Sequence, residues 1–505
     1  MTNNCSIDQL KQRLQQHYDL ICFEDLADYY DQHGSIFDLF KKYYSPEFRP
    51  NQRICLYSGT TPSQEFLDHI QRAAQQVDIS NYFIVIVSPT DIRENLQQSN
   101  KKFGNDAQSI GSEILDLADT KPMPLPGFFS NIDTICPYLW TAVEVGSSYD
   151  SVRPCCKFKG SLGNVQESEI NDIFTGKVAS DIRQQLTKGV KIPQCQVCWD
   201  AESYGTKSLR QYAWGKLGNK FEQHYFDKPT VKYITVSPSS LCNFSCRICN
   251  YKASSKIAAE EFAHAIDPDQ KNIFKFYMKN HTNSTLNGKV LEAIDNVELI
   301  HILGGEPFVW SDFSDFLNQL VQCGHADHLR LELHSNASTY PTEVVDLLKQ
   351  FDSVEILLSI DDVGPRFELQ RGGEWQSILK NIKKFSELQS ESIKIKFATT
   401  VNIQNVLYLD ELINLSNSLG IEIVWAYLED PDFLCIDNMT KTAKKLVYQK
   451  FQNYNHPELI AIAQRVVSTK PVTGDKFLQY MSELDARRGQ NFAQTHKEIF
   501  DAMQG

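Results

Sequence analysis

Between residues 232 and 428 the chain alternates short apolar runs with longer amphipathic ones. The runs at 233–237, 298–303, 329–335, 354–360, 393–400 and 421–428 have strand length and are rich in Ile, Leu and Val. Between them, 254–265, 311–323, 342–350, 375–388 and 407–419 repeat apolar residues at helical spacing. Strands joined by helices of this length form a parallel sheet, because a tight turn cannot bring the chain back in the same direction. Six such units predict an α/β fold of the partial (β/α)6 barrel kind. Loops at the carboxyl ends of the strands face the functional side of such folds.

The flanking sequence is organised differently. Residues 1–119 read as an N-terminal α/β domain, with helices at 8–17, 23–43 and 63–76 and buried strands at 53–58 and 82–88. Residues 90–131 are rich in Asn, Gln, Ser and Asp and end near KPMPLPG, where prolines break regular structure. The expected divisions are therefore the α/β domain at 1–119, a cysteine-rich domain at 120–230, the barrel at 231–430 and a helical segment at 431–505. A net charge of −13 disfavours non-specific binding to nucleic acid or to anionic membranes. No window approaches ~18 consecutive apolar residues, so no membrane span is expected. The opening residues MTNNCSIDQL lack a hydrophobic signal region. Of thirteen cysteines, eight fall in two clusters. An odd total without a secretion signal points to metal-binding thiols in a reducing compartment, and the cytoplasm is the expected location.

The first cluster lies in VSPSSLCNFSCRICNYK, where Cys242, Cys246 and Cys249 directly follow the first strand of the barrel. A compact loop there can aim three thiolates at one corner of an iron–sulfur cubane and leave the fourth iron free. A structural zinc site would need a fourth ligand, and no Cys or His nearby completes one. The second strand ends in HILGGEPF, with Gly304, Gly305, Glu306 and Pro307. Paired glycines let the backbone approach a ligand, and the carboxylate beside them can accept hydrogen bonds from an ammonium group.

Together these segments resemble the radical S-adenosylmethionine (SAM) superfamily. The resemblance implies that the open iron chelates SAM and that SAM is cleaved to a 5′-deoxyadenosyl radical, which abstracts hydrogen from a substrate. It implies a reductase, flavodoxin or ferredoxin as electron donor. It assigns the GGEP segment to the SAM amino group. Ser335 and Asn336 after the third strand stand where relatives often carry a Thr-Asn-Gly turn; Ser359 and Asp361 after the fourth stand where relatives place polar residues near the SAM ribose and carboxylate, Asn402 after the fifth occupies a comparable place, and Arg371 in QRGGEW resembles an arginine near the SAM carboxylate in some relatives. The residue before the last cysteine is usually aromatic in the family and is Ile248 here.

The second cluster comprises Cys136, Cys155, Cys156, Cys195 and Cys198, the last two as a CxxC pair. Cys136, one of Cys155 and Cys156, and the pair supply four thiolates, which suit either an iron–sulfur cluster or a zinc ion. The segment resembles the SPASM or twitch auxiliary domain of radical SAM enzymes, and this implies a second 4Fe-4S cluster. It departs from the usual order by preceding the barrel, and its cysteines suffice for one auxiliary cluster. The expected function is radical modification of a peptide or protein, with residues 1–119 available to hold a leader sequence. The alternatives are dehydrogenation of a small sugar or alcohol and a non-catalytic iron–sulfur protein.

Overall fold

The computed structural model describes residues 19–22, 53–57, 83–87, 134–146, 151–203, 208–217, 224–279 and 284–505. The chain falls into two compact units, Met1–Phe128 and Phe129–Gly505. In the first, strands β1 (Asp19–Cys22), β2 (Arg53–Tyr57) and β3 (Phe83–Val87) form a parallel sheet in that order. The expected strands at 53–58 and 82–88 are present. β1 was not expected, because DLIC is a short apolar run between two helical patterns. The expected helices at 8–17, 23–43 and 63–76 and the linker at 90–131 lie outside the described residues.

The second unit is built on one sheet of nine strands. Three come early in the chain: β4 (Ala142–Gly146), β5 (Ser151–Arg153) and β6 (Gly163–Asn164). Six follow at the expected positions: β7 (Tyr233–Ser237), β8 (Leu299–Ile302), β9 (Arg330–Ser335), β10 (Ser353–Ser359), β11 (Ile393–Val401) and β12 (Glu422–Tyr427). The order across the sheet is β12-β11-β10-β9-β8-β7-β4-β5-β6. β7 to β12 are parallel, and β4 adds a seventh parallel strand beside β7. β5 and β6 continue antiparallel as a hairpin extension. The cysteine-rich segment thus enters the same sheet as the expected barrel.

The two faces of this sheet differ. On one, Ile234, Val236, Ile300, Ile302, Leu331 and Leu333 are buried against helices Phe313–Gln322, Thr342–Leu348 and Trp375–Ser386. On the other, one row in register reads Glu144, Thr235, His301, Glu332, Glu355. Parallel strands covered on both faces carry near-continuous apolar sequence. A half-buried polar row on a parallel sheet therefore marks a face that lines a site. A second core joins the ends of β11 and β12 to the C-terminal helices Lys441–Phe451, Pro457–Ser468, Asp475–Arg488 and Lys497–Met503. Among the described residues, no helix is long and apolar enough to cross a membrane.

Candidate functional site

The loop after β7 carries Cys242, Cys246 and Cys249, all partly exposed. Its path is fixed from beneath by the segment after β8. The Glu306 N–H donates to the Leu241 carbonyl at 2.7 Å. A Cβ on Gly305 would sit 2.0 Å from that same oxygen, and one on Gly304, where φ is +90°, would sit 2.6 Å from the Ser239 oxygen. Only glycine permits this approach. The two glycines serve the cysteine loop directly, by letting the second strand end press against it.

Glu306 is buried, and its side chain caps the short turn Pro307–Val309. Its carboxylate accepts from the Phe308 N–H (3.2 Å), the Ser335 hydroxyl (2.9 Å) and the Asn336 N–H (2.5 Å). Burial nevertheless dominates and pushes its pKa up to about 7. The Asn336 amide donates to Asn243 Oδ1 at 2.9 Å and lies 3.9 Å from the Cys242 sulfur. Arg371 is buried, pairs with Asp361 at 2.7 Å and lies 3.9 Å from the Cys246 sulfur. Asp361 also accepts from the Thr400 N–H at 2.8 Å. Two groups thus meet the loop: Glu306, Ser335 and Asn336 at Asn243 and Cys242, and Asp361 with Arg371 at Cys246. Ser359 ends β10 half-buried, in register with Ala398. Asn402 stands apart. Its amide donates to the Thr400 carbonyl and accepts from the Gln404 N–H, each at 2.9 Å, so it shapes the turn after β11.

Sequence reasoning missed the support given by the C-terminal helices. Arg247, inside the cysteine motif, is fully buried. It forms an ion pair with Asp485 and donates to Gln490 (2.8 Å) and the Leu369 carbonyl (3.2 Å). The Tyr480 hydroxyl donates to the Arg247 carbonyl at 2.7 Å, and Arg488 donates to the Ser245 carbonyl at 2.8 Å. Helix Asp475–Arg488 thus also holds the loop. Ile248 packs into the same C-terminal core. The available signal was a charged residue between two cysteines of a tightly held loop.

The second thiol group is equally local. Cys136 precedes the short helix Tyr138–Thr141 that leads into β4, Cys155 follows β5, and Cys195 and Cys198 flank the start of helix Gln196–Ser203. Burial pushes Cys136 up to about 12, and the nearby Cys195 and Cys198 thiols add to the rise. Cys155 is raised by burial, and the nearby Cys136, Cys156 and Cys198 thiols add to the rise. Cys156 is exposed and sits beside Glu144, Lys157 and Arg153. Cys155 and Cys195 pack against the core that contains Cys136, whereas Cys156 is exposed, and this packing favours Cys155 over Cys156 as the companion of the other three. No three of these sulfurs lie within 4.8 Å of one another among the described residues. Four sulfurs on a single tetrahedral zinc would stand about 3.8 Å apart. The wider spread and the all-thiol donor set suit a multi-iron cluster better than one ion.

Residues 236–415 match the radical SAM superfamily, and residues 136–199 match the SPASM iron–sulfur cluster-binding domain. Among solved structures the chain is similar to Streptococcus suis SuiB bound to S-adenosylmethionine, at 15% identity and a TM-score of 0.28 over 55% of this chain and 48% of that one. It is also similar to anSMEcpe with bound AdoMet, at 14% identity and a TM-score of 0.33 over 46% of this chain and 62% of that one. The chain therefore spans about half the length of SuiB. No curated protein matches it.

Proposed function

We propose that this chain, which carries a radical SAM domain preceded by an SPASM domain, is an enzyme that abstracts a hydrogen atom from a peptide substrate. The observation that carries the reading is the three-thiol loop seated on the glycine pair at the carboxyl ends of β7 and β8, with a buried carboxylate beneath it. Cys242, Cys246 and Cys249 would hold the SAM-binding 4Fe-4S cluster. Cys136, Cys155, Cys195 and Cys198 would hold the auxiliary one. When bound, the cluster and SAM supply reductive cleavage to a 5′-deoxyadenosyl radical, with the electron delivered by a flavodoxin, a ferredoxin or a reductase.

Within this reading the chain's own residues orient SAM. Glu306 would accept from the SAM ammonium group. Arg371, held by Asp361, would take the SAM carboxylate, and Asn336 and Ser359 would serve the ribose. Arg371 and Asn336 also place N–H groups near cluster sulfurs, a contact that tunes the potential of such clusters. Asn402 holds the turn between Thr400 and Gln404 and acts on the pocket only through the backbone. The peptide reading is supported by the polar, half-buried sheet face and by the exposed alternate residues of β12, the outermost strand on its side among the described residues.

The test is anaerobic turnover with mass spectrometry of candidate peptides. The parent should release 5′-deoxyadenosine, and the variant with Cys242, Cys246 and Cys249 all changed to Ala should release none. Continued release by that variant sinks the catalytic reading. Turnover of a free sugar with no peptide accepted sinks the peptide reading alone.

A further inference from the structure

The polar row of the sheet contains a donor set made of nitrogen and oxygen, separate from both thiol groups. His301 of β8 and Glu332 of β9 are register partners. His334 follows two residues along β9 and so points to the same face. One ligand atom from each of the three lies within 4.8 Å of the other two, and this is the one such set of His, Cys, Asp or Glu donors among the described residues. His301 Nε2 is 3.6 Å from Glu332 Oε1, and the two imidazole rings have centroids 5.3 Å apart. The side chains of His301 and Glu332 are 24% and 21% exposed, so the set is reached from the open side of the sheet.

We propose that His301, Glu332 and His334 bind one divalent first-row transition-metal ion. Two imidazoles and a carboxylate suit zinc and ferrous iron, and three protein ligands leave room for at least one outside ligand. The backbone positions are already fixed by the β8–β9 ladder. The ligand atoms, already within 4.8 Å of one another, would close to about 3.4 Å around an ion bound at about 2.0–2.2 Å. The remaining position faces the half-buried side of the sheet and would take an oxygen donor, such as a carboxylate or a carbonyl.

Its location gives the ion a use. The row runs from His301 through Thr235 of β7 to Glu144 of β4, the strand that follows Cys136. His334 directly precedes Ser335 and Asn336, which bond to Glu306 and to Asn243. A ligand held by the ion would therefore lie on the sheet between the two thiol groups. None of this depends on which reaction the clusters serve.

Zinc(II) is the probe. The full-length, iron-loaded protein is dialysed to equilibrium against micromolar zinc and analysed for metal, and bound zinc is examined by X-ray absorption. The expected result is one zinc per chain beyond the iron, with nitrogen and oxygen neighbours at about 2.0–2.1 Å and no sulfur at about 2.3 Å. His301→Ala combined with His334→Ala should abolish the binding, and Glu332→Gln should weaken it at least tenfold. Unchanged circular dichroism and iron content will show that the variants remain folded. Zinc that binds through sulfur, that binds the variants as well as the parent, or that fails to bind the parent overturns the proposal.

Discussion

Glu306→Gln should pull folding and ligand binding in opposite directions. In the ligand-free protein, burial raises the Glu306 carboxyl from 4.5 to about 7, against the hydrogen bonds from Asn336, Ser335 and Phe308 that favour its ionised form. An acid raised in the folded state contributes fully below its unfolded value and loses that contribution as pH rises through the folded one. The ligand-free protein thus loses roughly 3 kcal/mol between about pH 4.5 and about pH 7, at about 1.4 kcal/mol per unit. Glutamine never ionises, but its amino group must face one of the donors. One oxygen accepts from the Phe308 N–H as well as from Ser335, and the other from the Asn336 N–H, so either orientation sets the amino group against a backbone N–H, at about 1–3 kcal/mol. At about pH 8 the SAM-free variant should therefore be more stable than the parent by up to about 2 kcal/mol. From about pH 6 to about pH 8 that advantage should grow by about 1.4 kcal/mol. SAM binding should move the other way. A charge-assisted hydrogen bond contributes roughly 1.5–3 kcal/mol, so at about pH 8 the variant should bind SAM about ten- to a hundredfold more weakly. The parent's affinity should rise about fivefold from about pH 6 to about pH 7 and about tenfold in all by about pH 8, then level, while the variant's stays flat. Denaturant unfolding and equilibrium dialysis read the two effects on one anaerobic preparation. Equal SAM affinity with the same pH profile would refute the reasoning and leave the GGEP segment as a turn.

Three further outcomes are expected. Anaerobically purified protein should hold about eight irons, and Cys195→Ala with Cys198→Ala should lose about half while keeping SAM affinity, read by iron analysis and dialysis. Cys155→Ala should lose iron to a similar extent, while Cys156→Ala keeps the parental content; the reverse would overturn the grouping drawn from their burial. Arg247→Met strands Asp485, which is 20% exposed. It should cost about 3 kcal/mol in denaturant unfolding, the lower part of the range for breaking a buried pair.

What the sequence disclosed follows from the range of the interactions involved. The six strands β7 to β12 are apolar runs bounded by turn residues, so local pattern suffices to find them. The cysteine spacing and the glycine pair are also local, because a loop must itself bring three thiols together and a close approach must itself omit a side chain. β4 is different. AVEVG is five residues long with a charge at its centre, and its strand conformation comes from pairing with β7, far along the chain. The support of the cysteine loop is still less local. Arg247 and Asp485 are 238 residues apart, and Tyr480 and Arg247 are 233 apart. Cys155 and Cys156 share every local feature and differ only in which way the chain turns after β5. His301, Glu332 and His334 left a readable trace: polar residues at alternate positions in strands that a doubly covered sheet would fill with aliphatics.

The position of the auxiliary segment before the barrel has a consequence for access. In the sheet, β4 lies next to β7, the first strand of the alternating region, so the hairpin and the thiols after it extend that edge. The opposite edge then ends at β12 among the described residues. Its Glu422, Val424 and Ala426 are exposed, and Glu422 pairs with Lys396 of β11. An edge strand presents unpaired N–H and C=O groups, and charges on it discourage casual pairing. A domain that followed β12 in the chain would extend this edge; here it is left to the C-terminal helices, which pack on Trp425 and Tyr427 and leave the alternate residues open. On the peptide reading, an extended substrate therefore has its approach at β12 and the auxiliary thiols at the far side of the same polar face. A substrate entering there would cross the row Glu355, Glu332 and His301 before reaching β4. A charge-reversing change at Glu422 should accordingly alter peptide KM more than kcat, and an equal effect on both would place the approach elsewhere.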